Sequence, residues 1–129
     1  MNCRNYRKVL QSKESEVRVR DLYELGFDQV LKGSDLLNLQ TGKFADDIKA
    51  EQEQIEWADV ITFVYPVWWA GLPAMLKGYV DRAFANGFAF TYGENGPIGL
   101  LSKKKAIVFS TTGFSSAVYE QIGMHNSMK

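Results

Sequence analysis

The sequence predicts a three-layer α/β sandwich built on a parallel sheet. Three observations carry that expectation. Val60–Tyr65 is a short apolar run rich in β-branched and aromatic residues, which suits a strand buried on both faces. Met75, Leu76, Tyr79, Val80, Ala83 and Phe84 follow it at helical spacing. A second apolar run, Ala106–Thr111, ends like the first in a loop. Strand, loop, helix and strand again is the alternation of a parallel α/β layout. At 129 residues the chain has the length of one domain.

Taken in order, residues 4–15 are polar, with Tyr6, Val9 and Leu10 at helical spacing, and read as the last turns of a helix. Val17–Asp21 alternates apolar and charged residues, the pattern of a strand with one wet face or of an edge strand. Leu22–Leu39 is mixed, punctuated by Gly26 and Gly33, and reads as loop with short helical turns. Asp46 or Asp47 is positioned to cap the next helix. Ile48, Gln52, Ile55 and Ala58 give that helix a narrow inward face, and Glu51, Glu53 and Glu56 read as its solvated face. These glutamates have no His or Asp at ligand spacing, so no metal site is expected.

From Val60 to Leu76 the chain carries no charge. Its length approaches that of a membrane span. Pro66, Gly71 and Pro73 interrupt it, and Asp59, Lys77, Asp81 and Arg82 crowd its ends, so no membrane insertion is expected. Pro66 has no N–H to give and ends the strand. Pro73 suits the first position of the helix, where a missing N–H costs nothing. The intervening loop, Pro66–Leu72, sits at the carboxyl end of a strand, where open α/β sheets bind ligands. Asn86-Gly87 supplies the helix stop. Phe88–Tyr92 is aromatic and extended, and Gly93–Pro97 is a turn cluster. Lys103–Lys105 reads as a solvated strand entrance more readily than as a phosphate or acidic-partner site. The strand Ala106–Thr111 runs into the second carboxyl-end loop, Thr111–Ser116. The expected core includes Val60, Ile61, Phe63, Val64, Leu76, Val80, Phe84, Ile107 and Phe109.

Basic and acidic residues balance at 15 each, which gives no electrostatic case for nucleic acid. The lone cysteine, Cys3, allows no internal disulfide. The opening residues lack the apolar core of a signal peptide. Together these features place the expected location in the cytoplasm.

The two loops suggest a chemistry. The first offers the faces of Trp68 and Trp69 and backbone amides. The second offers hydroxyls and amides around Gly113, where a backbone can come close to a ligand. That set suits a planar heteroaromatic with polar edges, such as a flavin ring, whose negative charge on reduction amides stabilise. A tryptophan pair in a core is the plainer alternative.

P-V-W-W-A-G-L-P-A-M-L-K-G-Y-V-D-R-A-F resembles the signature of flavin-dependent NAD(P)H quinone reductases of the flavodoxin-like fold. G-F-A-F-T-Y follows it, as in that family. S-T-T-G-F-S-S-A-V-Y-E-Q-I-G-M-H resembles the family's second flavin loop and its tyrosine–histidine pair, and V-R-V-R-D-L-Y-E-L-G-F-D resembles its second strand and the segment after it. The resemblance covers nearly all of residues 17–125.

It implies a flavin (FMN or FAD) lined by Pro66, Val67, Trp68 and Trp69 and bonded at its polar edge by Thr111, Thr112 and Gly113. It implies that Tyr119 and His125 assist hydride transfer from NAD(P)H, with a quinone-like small molecule as the final acceptor. It also implies a homodimer that buries Phe88, Phe90 and Tyr92. The family's opening strand and its phosphate loop, H-P-x-x-x-S-x-N, have no counterpart in Met1–Ser15, and its last strand and helix have none after His125. The expected sandwich is therefore incomplete, lacking first and last strands. A catalytically inert flavodoxin-like binding module, such as an ancillary subunit of a potassium-efflux system, and a non-functional fragment are the alternatives of other classes.

Overall fold

The computed structural model describes residues 15–127; the expected helix end at residues 4–15 and Cys3 lie almost entirely or entirely outside them. The element order is α1 (Gly33–Thr41), α2 (Asp46–Trp57), β1 (Val60–Pro66), α3 (Ala74–Ala83), β2 (Phe90–Gly93), β3 (Gly96–Gly99), β4 (Lys105–Thr111), α4 (Ser116–Gln121) and α5 (Met124–Ser127). β1 and β4 pair in parallel, with Val60 opposite Lys105 and Pro66 opposite Thr111. β2 and β3 form a separate antiparallel hairpin across the Glu94–Asn95 turn.

Val17–Asp21 forms no ladder, contrary to the strand expected there. A strand exists only through a neighbour, and none pairs with this segment among the described residues. Its charged side chains are exposed but engaged. Arg18 lies over the Trp57 ring at 3.9 Å and donates to Gln54 Oε1 at 3.2 Å. Arg20 grips the Glu51 carboxylate through Nε and Nη2. Side-chain bonds to α2 thus hold the segment where backbone pairing does not. Glu51 is correspondingly buried, not solvated, and also accepts a long hydrogen bond from Tyr79 Oη at 3.5 Å. Burial, and then the Glu51 charge, pushes the Tyr79 phenol up.

The mixed stretch before α2 contains a full helix, α1. The Asp35 side chain accepts from the Lys32 backbone N–H at 2.9 Å at its start. Gly42 closes it with a left-handed φ of 66°, its N–H directed to the Asn38 carbonyl. Ala45, not an aspartate, occupies the N-cap of α2. Asp46 and Asp47 fall in the first turn instead, where their charge still favours the helix dipole. Lys104 Nζ donates to the Glu56 and Ala58 carbonyls, each at 2.7 Å, at the other end of α2. That contact gives one lysine of the basic triplet a structural task.

The core centres on the helices. Phe27, Ile48, Ile55, Tyr79 and Ala83 are buried together, and Ile61, Leu76 and Phe84 pack against them. Val60 and Ile107, expected in the core, are 44% and 40% exposed, and the other seven expected core residues are half-buried. Among the described residues β1 and β4 pair only with each other, and their side chains are half-buried or exposed, without the double-sided burial of a central strand. α3 crosses close to the loop after Phe27. A Cβ on Gly78 would sit 2.0 Å from the Gln29 carbonyl oxygen. Arg82 of α3 is buried and ties three segments: it donates to both Asp35 oxygens at 2.9 and 3.2 Å, to Asp47 Oδ2 at 2.9 Å and to the Asp28 carbonyl at 2.7 Å. No helix among the described residues is long and apolar enough to cross a membrane.

Candidate functional site

Parallel pairing of β1 with β4 brings the two carboxyl-end loops side by side. The ladder runs through Pro66 and one bond beyond it: the Val67 N–H donates to the Thr111 carbonyl at 2.8 Å. Pro66 therefore does not end the pairing, because its nitrogen is not required for the bond that follows.

The chain then reverses in two residues. Trp68 N–H donates to the Gly71 carbonyl at 3.1 Å, and Gly71 N–H donates back to Trp68 at 2.9 Å. Trp69 and Ala70, between them, have φ of 50° and 59°. Two left-handed residues in a two-residue turn are the geometry that Asn-Gly usually supplies, and a side chain there is strained. The turn holds Trp69 95% exposed and Trp68 62% exposed. The plainer reading of the pair as core is thereby removed. Pro73 is the N-cap of α3 and not its first residue, one position earlier than expected.

In the second loop the Thr112 hydroxyl donates to the Phe114 carbonyl at 2.9 Å. Its hydrogen is spent inside the loop. The backbone N–H groups of Trp69, Ala70, Thr112 and Gly113 make no hydrogen bond among the described residues. Around Gly113 a Cβ would meet nothing within 4 Å, so the backbone there is open to close approach. Tyr119, on α4, is buried, with its ring 6.3 Å from that of Phe114. Phe114 itself is 64% exposed. His125 falls in α5, and its side chain lies outside the described residues.

Of the residues singled out from sequence, the structure thus brings together Pro66, Val67, Trp68, Trp69, Thr111, Thr112 and Gly113, with Tyr119 joined to them through Phe114. Two aromatic indole surfaces beside open amide donors fit a planar ring with an acceptor edge. Sequence reasoning passed over Phe114; its signal was a large aromatic inside a loop of otherwise small polar residues.

A separate cleft of about 430 Å³ lies away from these loops, lined by Leu39, Val80, Phe84, Asn86, Phe90 and Tyr92. Asn86 Oδ1 is buried there without a hydrogen-bond partner among the described residues. Phe88 packs against the core and Phe90 is half-buried, so only Tyr92 of the expected aromatic patch stands exposed.

The family with a flavodoxin-like fold matches residues 3–129. The chain belongs to that family. An uncharacterized NAD(P)H oxidoreductase of Haemophilus influenzae is 41% identical over 91% of this chain and 59% of its own length. An NAD(P)H dehydrogenase [quinone] 1 of Cavia porcellus is 35% identical over 94% of this chain and 50% of its own length. The solved NAD(P)H:quinone oxidoreductase from Methanothermobacter marburgensis superposes with a TM-score of 0.76 at 32% identity, covering 86% of this chain and 57% of that one. The flavodoxin-like chain thus spans between half and three-fifths of the length of these relatives. Its parallel sheet with flanking helices is the fold the resemblance implied.

Proposed function

We propose that this chain carries the ring-binding side of a flavin-dependent NAD(P)H:quinone reductase site. One observation supports the reading above the others. A strained turn holds Trp69 almost fully in solvent, on a loop bonded directly to a second loop whose amides are open. An exposed indole costs free energy unless something flat covers it. The names of the relatives point to the same chemistry.

In this reading Pro66, Val67, Trp68 and Trp69 line the flavin. The N–H groups of Thr112 and Gly113, beside Thr111, face its polar edge. When bound, the flavin accepts a hydride from NAD(P)H and passes two electrons to a quinone-like acceptor. The protein's part is to exclude water from one ring face and to direct amide dipoles at the edge where negative charge grows. The Tyr119 hydroxyl, with His125, holds a proton near that edge and shares the charge. We infer further that two copies associate through the Tyr92 hairpin and the cleft beside it, where Asn86 Oδ1 lacks a partner among the described residues.

Titration with FMN and with FAD, followed by tryptophan quenching, tests the reading. Saturable quenching with bleaching of the bound flavin by NADPH, and recovery on adding a quinone, is the expected result. A chain that takes up neither flavin overturns the reading and leaves the inert binding module and the non-functional fragment. Light scattering that shows only monomer at micromolar concentration removes the dimer.

A further inference from the structure

We propose that Phe114 is a positioning residue for Tyr119, and that it acts on hydride transfer only through that tyrosine. The inference rests on the functional reading above and adds a residue to it. Phe114 stands in the second carboxyl-end loop, three-fifths exposed, yet its backbone is not free. The Thr112 hydroxyl bonds its carbonyl at 2.9 Å, which fixes the turn that carries it. Its ring lies 6.3 Å from the Tyr119 ring at 51°, within the distance at which aromatic pairs interact. Tyr119 projects from a short helix, α4, whose N-cap Ser115 directly follows Phe114 and makes no side-chain capping bond. The helix is therefore a weak support on its own. The ring contact supplies the orientation that the helix does not. A phenol whose hydroxyl must meet a developing charge depends on orientation to within about an ångström, and losing it costs up to roughly a hundredfold.

The contact is read first in the flavin-free chain. With ring-labelled tyrosine, the Tyr119 resonances, assigned by their loss in Tyr119→Phe, should shift in Phe114→Ala and return in Phe114→Tyr, which keeps a ring. Since most of the Phe114 side chain is exposed, its removal should lower the thermal midpoint only slightly. Resonances that stay in place in Phe114→Ala overturn the proposal.

The role is read by stopped-flow reduction of the bound flavin by NADPH. Phe114→Ala should slow reduction roughly tenfold, with Phe114→Tyr near parental. In a Tyr119→Phe background, Phe114→Ala should add less than about twofold, because the group it positions is already gone. Additive losses overturn the proposal and leave the Tyr119 reading intact. Parental rates in Tyr119→Phe end the catalytic reading of Tyr119, and this role with it. A parental chain that takes up no flavin ends both together with the function.

Discussion

The Val67 amide and the Thr111 carbonyl, 2.8 Å apart, join the two loops of the site by a single backbone bond. The bond is the last rung of the β1–β4 ladder, so the relative position of the loops is set by the sheet and not by loop contacts. In the proposed site, Trp69 on one loop and the Gly113 amide on the other would therefore meet the flavin as one surface. Trp69→Ala should weaken flavin binding roughly tenfold, the scale of one lost aromatic stack, while leaving the thermal midpoint unchanged because the indole buries almost nothing. Fluorescence titration measures the first and calorimetry the second. Unchanged affinity removes Trp69 from the site.

Tyr119→Phe and His125→Gln should each slow reduction of bound flavin by roughly ten- to a hundredfold, and the pair should be non-additive if they share one role. Reoxidation by a quinone should change less, since negative charge develops on the ring only as hydride arrives. Stopped-flow traces of both half-reactions distinguish the two. Parental reduction rates in both variants remove Tyr119 and His125 from the reaction.

Gly78→Ala should cost roughly 2–3 kcal/mol of stability, the upper part of the overpacking range. The added Cβ meets the Gln29 carbonyl and its Cβ, at 2.0 and 2.6 Å, so either the loop or α3 must move. Urea denaturation gives the value. A loss below about 1 kcal/mol, the scale of an ordinary substitution, would mean that the loop yields freely.

Asp35 carries a pH dependence of defined sign. The guanidinium of Arg82, hydrogen-bonded to both its oxygens, holds the carboxyl below its ordinary value, against burial that raises it. A carboxyl depressed in the folded state stabilises it above the unfolded value, about 4, and that contribution disappears as pH falls through the folded value. Asp35→Asn should cost roughly 2–4 kcal/mol at neutral pH, because Arg82 stays buried with one of its carboxylates gone. The gap between parent and variant should narrow below about pH 4. Urea midpoints measured from neutral to acid pH test both statements; a gap that widens in acid refutes the assignment.

The strand, loop and helix from Val60 to Phe84 could be read in sequence because their signals are local: an apolar run, two prolines, then helical spacing. The paired loops followed from the layout. Glu51 could not be read that way. Its place on the polar side of α2 looks solvated until Arg20, which is far away in sequence, closes over it. Val17–Asp21 has a strand's alternation, but pairing is a property of two segments, and side-chain bonds to α2 took its place. α1 was hidden because Gly33 and Asn38 weaken helical propensity, while its stop at Gly42 was only a single residue. The left-handed pair at Trp69 and Ala70 had no signal at all, since neither is a residue that favours such a turn.

That pair has a consequence for anyone who breeds this protein for endurance. Left-handed φ at a residue with a side chain stores about 1–3 kcal/mol, and Asn-Gly would release most of it at no cost to the surrounding chain. A library sorted on heat resistance alone would reach positions 69 and 70 early and settle there. Its winners would outlast the parent and would have discarded the exposed indole, so with Trp69 in its proposed role, selection for durability and selection for turnover would pull this one turn in opposite directions.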